Sequence, residues 1–294
     1  MWIVFALAAA FGSAWTSFGL KRAVGHAGAV VSTVAFRLLA GLLLAIVVAA
    51  TGGWPALPPA YWRVAGLVLV PEVLGMLFLT LALRTGDLSH VQPLMGLLPP
   101  MVMLGGWLFL GEVPTLPAAA GVVLVTAGVY CIGLRPGLSA LEPLRALARE
   151  RASWYAVAAA VAWSVTSLMH RAGIDIVGPF PWGVTLAVGS ALLLAVAALP
   201  GMAWRTGTVG LPRAPLAWGG WVLLAGTAFA LQQTGLYLAL RLAQTGYVIA
   251  ITSTGLLIAT GLGILFLAER TAARNRIAGA LLVSAGAALI AVFG

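Results

Sequence analysis

Ten apolar runs dominate the sequence, most of them about 20 residues long, the length a helix needs to cross the hydrocarbon core of a bilayer. That core offers no water to free N–H and C=O groups, so such runs fold as helices whose backbone bonds close internally. Hydropathy and turn signals place them at 2–20, 29–50, 64–83, 91–110, 115–134, 154–170, 181–199, 217–240, 244–267 and 277–293. Charged residues make up 8% of the chain, against about 25% in soluble domains. The net charge of +9 comes from sixteen Lys and Arg scattered singly or in small groups between the runs. That pattern suits anionic lipid headgroups and offers nucleic acid no continuous surface. The single cysteine, Cys131, excludes an intrachain disulfide, and His26, His90 and His170 stand apart from one another, so no metal or cofactor is expected.

The chain repeats itself. A shift of 150 residues brings Phe5-Ala-Leu-Ala-Ala-Ala10 onto Tyr155-Ala-Val-Ala-Ala-Ala160 and Thr16-Ser17 onto Thr166-Ser167. A shift of 157 brings Leu81-Ala-Leu-Arg84 onto Leu238-Ala-Leu-Arg241, and Leu108-Phe-Leu-Gly-Glu112 onto Leu265-Phe-Leu-Ala-Glu269. The expected domains are a first five-helix repeat at 1–134, a basic linker at 135–153 and a second five-helix repeat at 154–294. In the linker, Ser139 and Glu142 fit a capping box, and Leu141, Leu144 and Leu147 recur opposite Arg145 and Arg149, as in an amphipathic helix at the interface. Five is odd, so the two copies cross the membrane in opposite senses. The fold class expected is an all-α polytopic membrane protein of ten transmembrane helices in two inverted repeats. Secondary transporters use that arrangement, with the substrate site near the midplane where the repeats meet.

Glu72 is the first candidate for that site. It lies in the middle of the third run, next to Pro71, and an ionised side chain at that depth must face the bundle interior or a cavity. Pro71 has no N–H to give and frees a carbonyl about one turn earlier. Arg37 in the second run lies about 12 Å deep at 1.5 Å per residue, so it can either pair with Glu72 or snorkel to the headgroups. Glu72, Met76 and Thr80 share one helix face, and the repeat maps them onto Phe229, Gln233 and Tyr237. These two faces are expected to oppose each other across a cavity, with Trp15 and Trp163 adding aromatic surface. Pro93, Pro99 and Pro100 mark the fourth run as bent or interrupted and therefore as a cavity wall. Gly121, Gly128, Gly279 and Gly286 permit close helix approach, either to one another or in a homodimer.

Together these residues resemble the drug/metabolite transporter superfamily, in particular its ten-helix EamA-type members. The resemblance rests on the paired Leu-Phe-Leu-(Gly/Ala)-Glu and Ala-Gly-x-x-Leu-Val-x-Ala-Gly segments, on Ala35-Phe36-Arg37-Leu38, and on Trp163. It implies a basket of helices in which the first, third, fourth, sixth, eighth and ninth spans surround a central cavity. It also implies that Glu112 and Glu269 mark the fold without binding substrate. Family members move amino acids, nucleosides, quaternary amines, drugs and other small metabolites, commonly by proton coupling or exchange.

The function expected is a secondary transporter, not an enzyme, moving an organic cation, drug or amine-bearing metabolite across the cytoplasmic (inner) membrane. Its partners are then that small molecule, coupling protons and membrane lipids. Glu72 would serve as the proton and cation site, with Met76, Trp15, Arg37, Phe229, Gln233, Tyr237 and Trp163 as the other substrate-binding residues. An amino-acid or nucleoside exporter, or a flippase for lipid-linked headgroups, is the alternative on the same fold. An intramembrane enzyme built on Glu72 and His90 lacks a nucleophile or metal partner. Twelve Lys and Arg fall at one end of the spans and Arg63, Arg171 and Arg241 at the other, which places the termini outside by the positive-inside rule.

Overall fold

The computed structural model describes residues 1–85, 94–134, 141, 145, 149–198, 210–267 and 273–294. The expected interruption at Pro93, His90, Glu269 and most of the expected linker helix lie outside the described residues. Eleven helical segments are described: α1 (Trp2–Val24), α2 (Ala29–Ala50), α3 (Pro59–Thr85), α4 (Leu98–Leu110), α5 (Leu116–Gly133), α6 (Arg151–Val177), α7 (Pro179–Ala198), α8 (Pro215–Leu240), α9 (Thr245–Thr252), α10 (Gly255–Leu267) and α11 (Ala273–Phe293). Among the described residues there is no strand. Among the described residues six helices are long and apolar enough to cross a membrane, and shorter apolar helices occupy the fourth, fifth, ninth and tenth positions. The chain is a multi-pass, all-helical membrane protein.

Two spans are broken, one as expected and one not. In the fourth, a helical turn at 94–95 gives way to a turn at Gly96 and Leu97 before α4 begins with Pro99 and Pro100 in its first turn. The ninth, expected as one run over 244–267, is two helices, α9 and α10, separated by Ser253 and Thr254. No proline interrupts it. Instead Ser253 and Thr254 donate their hydroxyls to the carbonyls of Ile249 and Ile251 at 2.8 and 2.7 Å. Side chains thereby take over acceptors that the interrupted ladder would leave bare. The same 157-residue shift relates the two breaks. Proline at 71 has a milder effect than at 99–100, for α3 continues through it as a single helix.

Every extensive helix contact crosses the middle of the chain: α1 packs on α8, α5 on α11, α3 on α6 and α2 on α7. Glycines set the closest approaches. A Cβ on Gly12 would lie 2.6 Å from the Ala228 carbonyl, and one on Gly235 would lie 2.5 Å from the Phe5 carbonyl, so only glycine lets α1 and α8 meet backbone to backbone. Between α5 and α11 the contact is reciprocal, with Gly121 facing the Gly286 carbonyl and Gly128 that of Gly279. Of the two expected uses of these glycines, packing within the chain is the one realised.

The polar contacts at the helix ends gather on two sides. At one end Thr115 N donates to the Tyr247 hydroxyl at 2.9 Å, and Gln244 donates to the Val113 carbonyl at 3.0 Å. Gly111, with φ +67°, ends α4 there and directs Glu112 back toward the bundle. At the other end Gly28 N donates to the Gly210 carbonyl and Arg213 N to that of His26, both at 2.9 Å.

Candidate functional site

Where the helices part, a cavity of about 320 Å³ lies within the bundle. Its wall is drawn from α1, α3, α4, α6, α8 and α9, with Arg37 of α2 and Leu186 of α7 closing the remaining sides.

Arg37 stands at its centre of charge. One guanidinium nitrogen donates to Ser190 Oγ on α7 at 2.6 Å, and the other donates to Glu72 Oε1 on α3 at 3.1 Å. The guanidinium also lies over the Phe229 ring, 4.8 Å from its centroid. The side chains of Arg37 and Glu72 are only 9% and 14% exposed, so this is an ion pair taken out of water, with a hydroxyl and an aromatic face compensating the cation. Of the two readings of Arg37, pairing is the one realised. Its Nε is buried with no partner among the described residues, which leaves the guanidinium spare donor capacity.

The opposite wall is α8. Phe229, Gln233 and Tyr237 recur every fourth residue and share one face, and Gln233 Nε2 donates to the Tyr237 hydroxyl at 2.6 Å. From α6 come Trp163, Thr166, Ser167 and His170. The Thr166 and Ser167 hydroxyls donate to their own helix carbonyls at 3.0 and 2.7 Å, so they face the cavity chiefly as acceptors. His170 meets the Tyr237 ring edge-on at 5.1 Å and accepts at Nδ1 from Trp182 Nε1 at 3.2 Å.

Six of the eight residues expected at a substrate site therefore meet around one space: Glu72, Arg37, Phe229, Gln233, Tyr237 and Trp163. Met76 and Trp15 do not line it. The Trp163 indole lies against Gly75, where a Cβ would be 2.7 Å from its Nε1, so α3 gives the cavity Glu72 alone. Thr80 is turned outward, with its hydroxyl on the Met76 carbonyl. Trp15 packs between Phe11 and Phe18, at 6.1 and 5.7 Å, in an aromatic cluster against α10.

Sequence reasoning missed His170 because the sixth run was ended at that residue; α6 extends to Val177 and buries it two turns inside. Ser13, Leu186, Thr252 and Ser253 carried no signal beyond being small or apolar. Glu112 stands away from this wall. It accepts from Thr245 N and Oγ1 at 2.8 Å each and from Arg171 at 3.2 Å, so it caps the first turn of α9. Among the described residues no group of three His, Cys, Asp or Glu side chains converges as a metal site.

The EamA-like transporter family matches residues 1–134. A curated relative from Sinorhizobium sp., described as an uncharacterized transporter in the cobO 3' region, is 30% identical over 136 residues, 45% of this chain and 96% of the relative. The chain belongs to the EamA-like transporter family. As an EamA protein it is a membrane transporter of the drug/metabolite superfamily and not an enzyme. A crystal structure described only as that of a protein shares the fold, with a TM-score of 0.75 over 99% of this chain and 96% of that one, at 16% identity.

Proposed function

We propose that this EamA protein is a secondary transporter whose solute carries both an amine and an acidic or carbonyl acceptor group, bound by the Arg37–Glu72 pair. The observation that carries this reading is the pair itself, joined at 3.1 Å on the cavity wall. A bare organic cation that captured Glu72 would leave Arg37 buried without its counter-charge, a loss of about 3–5 kcal/mol when one partner of a buried pair is removed. A solute with both groups replaces each partner for the other: its amine on Glu72, its acceptor on the Arg37 nitrogen that Glu72 gives up. The aromatic residues that could hold a bare cation are also largely engaged. Phe229 already holds Arg37, the Tyr237 ring packs on His170 and Trp15 lies elsewhere.

Alternating access by two inverted repeats draws support from the packing. If α1–α3 correspond to α6–α8, the α1·α8 and α3·α6 contacts are images of each other, and α2·α7 and α5·α11 are each self-paired. The equivalent breaks at 96–97 and 253–254 agree with it, since discontinuous helices beside the site are a feature of such transporters.

The test is a thermal-shift series on the purified full chain with L-leucine, 3-methylbutylamine (the same side chain without the carboxylate) and choline. A ligand of the folded state raises the melting temperature by mass action. L-Leucine is expected to stabilise most, and Glu72→Gln to abolish the rise. Equal or greater stabilisation by choline or 3-methylbutylamine overturns the two-group reading in favour of an organic cation.

A further inference from the structure

We propose that His170 determines specificity in this cavity: Trp182 holds its imidazole in the Nε2–H tautomer, and that N–H is a fixed donor to an acceptor oxygen of the solute. The proposal rests on the reading of the cavity as the solute site. It starts from an asymmetry of chemistry, because an indole N–H can only donate. Trp182 Nε1 lies 3.2 Å from His170 Nδ1, so Nδ1 must offer a lone pair, and the one proton of the neutral ring then sits on Nε2. A second proton would set one N–H against another and break the bond. His170 is thus a donor of fixed direction.

The seat of Trp182 is built into the fold. The residue is fully buried, its ring meets Tyr61 edge-on at 6.4 Å, and Gly173 makes room for it on α6, where a Cβ would lie 2.4 Å from the indole. His170 is itself only 6% exposed and lines the cavity, and its Nε2 has no hydrogen-bond partner among the described residues. Facing the cavity, this donor loses its acceptor only when a solute displaces water without supplying one, which is the physical basis for rejecting solutes that lack an acceptor. Tyr237 strengthens that wall. Its oxygen accepts from Gln233, which leaves its own O–H to donate. His170 Nε2–H and the Tyr237 O–H are therefore the donors of the α6 and α8 side, beside the acceptor hydroxyls of Thr166 and Ser167, and the α3 side presents the Glu72 carboxylate.

Two measurements on the full chain in lipid nanodiscs test this. The first is a 15N spectrum of histidine-labelled protein, with His170→Gln assigning the signal among the three histidines. His170 is expected to show a bare Nδ1 and a protonated Nε2, and Trp182→Phe is expected to give a mixture of tautomers. A protonated Nδ1, or a spectrum unchanged by Trp182→Phe, overturns the proposal whatever the solute is. The second compares L-leucine with 3-methylbutylamine. His170→Phe is expected to weaken L-leucine by more than about tenfold and the amine by less than about twofold, with His170→Gln restoring most of the loss. Equal weakening of both probes overturns the donor role. No response of the wild type to L-leucine overturns that role together with the two-group reading, and the spectrum still decides the tautomer.

Discussion

Arg37 and Glu72 come from α2 and α3 and are joined beside α7, which supplies Ser190. Removing one charge strands the other in low dielectric, while removing both leaves a site that apolar side chains can fill. Arg37→Leu is therefore expected to destabilise the protein by about 3–5 kcal/mol, and Arg37→Leu with Glu72→Leu to recover most of that loss while losing the response to L-leucine. Denaturant unfolding in detergent measures both, and a double variant no more stable than the single one would contradict the pairing. The sequence brought the two charges to comparable depth, since depth along a helix follows from rise per residue, but it left pairing and snorkelling both open for Arg37. The rest of the polar wall was harder to see. Ser190 lies 153 residues from Arg37, and no local pattern announces so distant a partner. Trp15 shows the opposite failure, because an indole in an apolar run is equally suited to a cavity wall and to the aromatic cluster it joins.

At the scale of whole helices, two devices set the shape of the bundle: glycine contacts that bring axes together and breaks that part them. Gly128→Val would drive a side chain into the Gly279 carbonyl and the Val283 backbone, 2.6 and 2.7 Å from its Cβ, where nothing flexible can yield. A loss of about 1–3 kcal/mol is expected in thermal unfolding. Gly66 is the control, because a Cβ there meets nothing within 4 Å, and Gly66→Ala should be neutral or stabilise by about 0.5–1 kcal/mol. Glu112→Ala removes the cap of α9 and is expected to cost about 0.5–2 kcal/mol in the same assay. The prolines of the fourth span could be read in advance because they have a steric consequence of their own, whereas Gly121, Gly128, Gly279 and Gly286 signalled close approach without saying to what, and Gly12 and Gly235 gave no signal. The ninth span hid its break. Thr252, Ser253, Thr254 and Gly255 look like ordinary small helix residues until the hydroxyls are seen to bond back to α9.

Across the whole molecule, the ends of the spans divide the polar loops into two faces, and the charge imbalance between them predicts which one meets the cytoplasm. In a Cys131→Ser background, Leu116→Cys at one face should react with an impermeant maleimide in intact spheroplasts, and Leu211→Cys at the other only after permeabilisation. The reverse pattern would place the termini inside. The all-helical, multi-pass character could be inferred from hydropathy, but which helix meets which could not, because apolar faces of similar composition carry no address. The partner choice has a consequence in time. α1, α2, α3 and α5 each find their most extensive contact in a helix that follows residue 150, so a ribosome that has finished the first five spans has made almost none of the final interfaces. Those spans must wait in the bilayer, Glu72 and Arg37 among them, until α6, α7, α8 and α11 arrive. The interval of synthesis between the two halves is then the stage at which the nascent chain depends most on its insertion machinery.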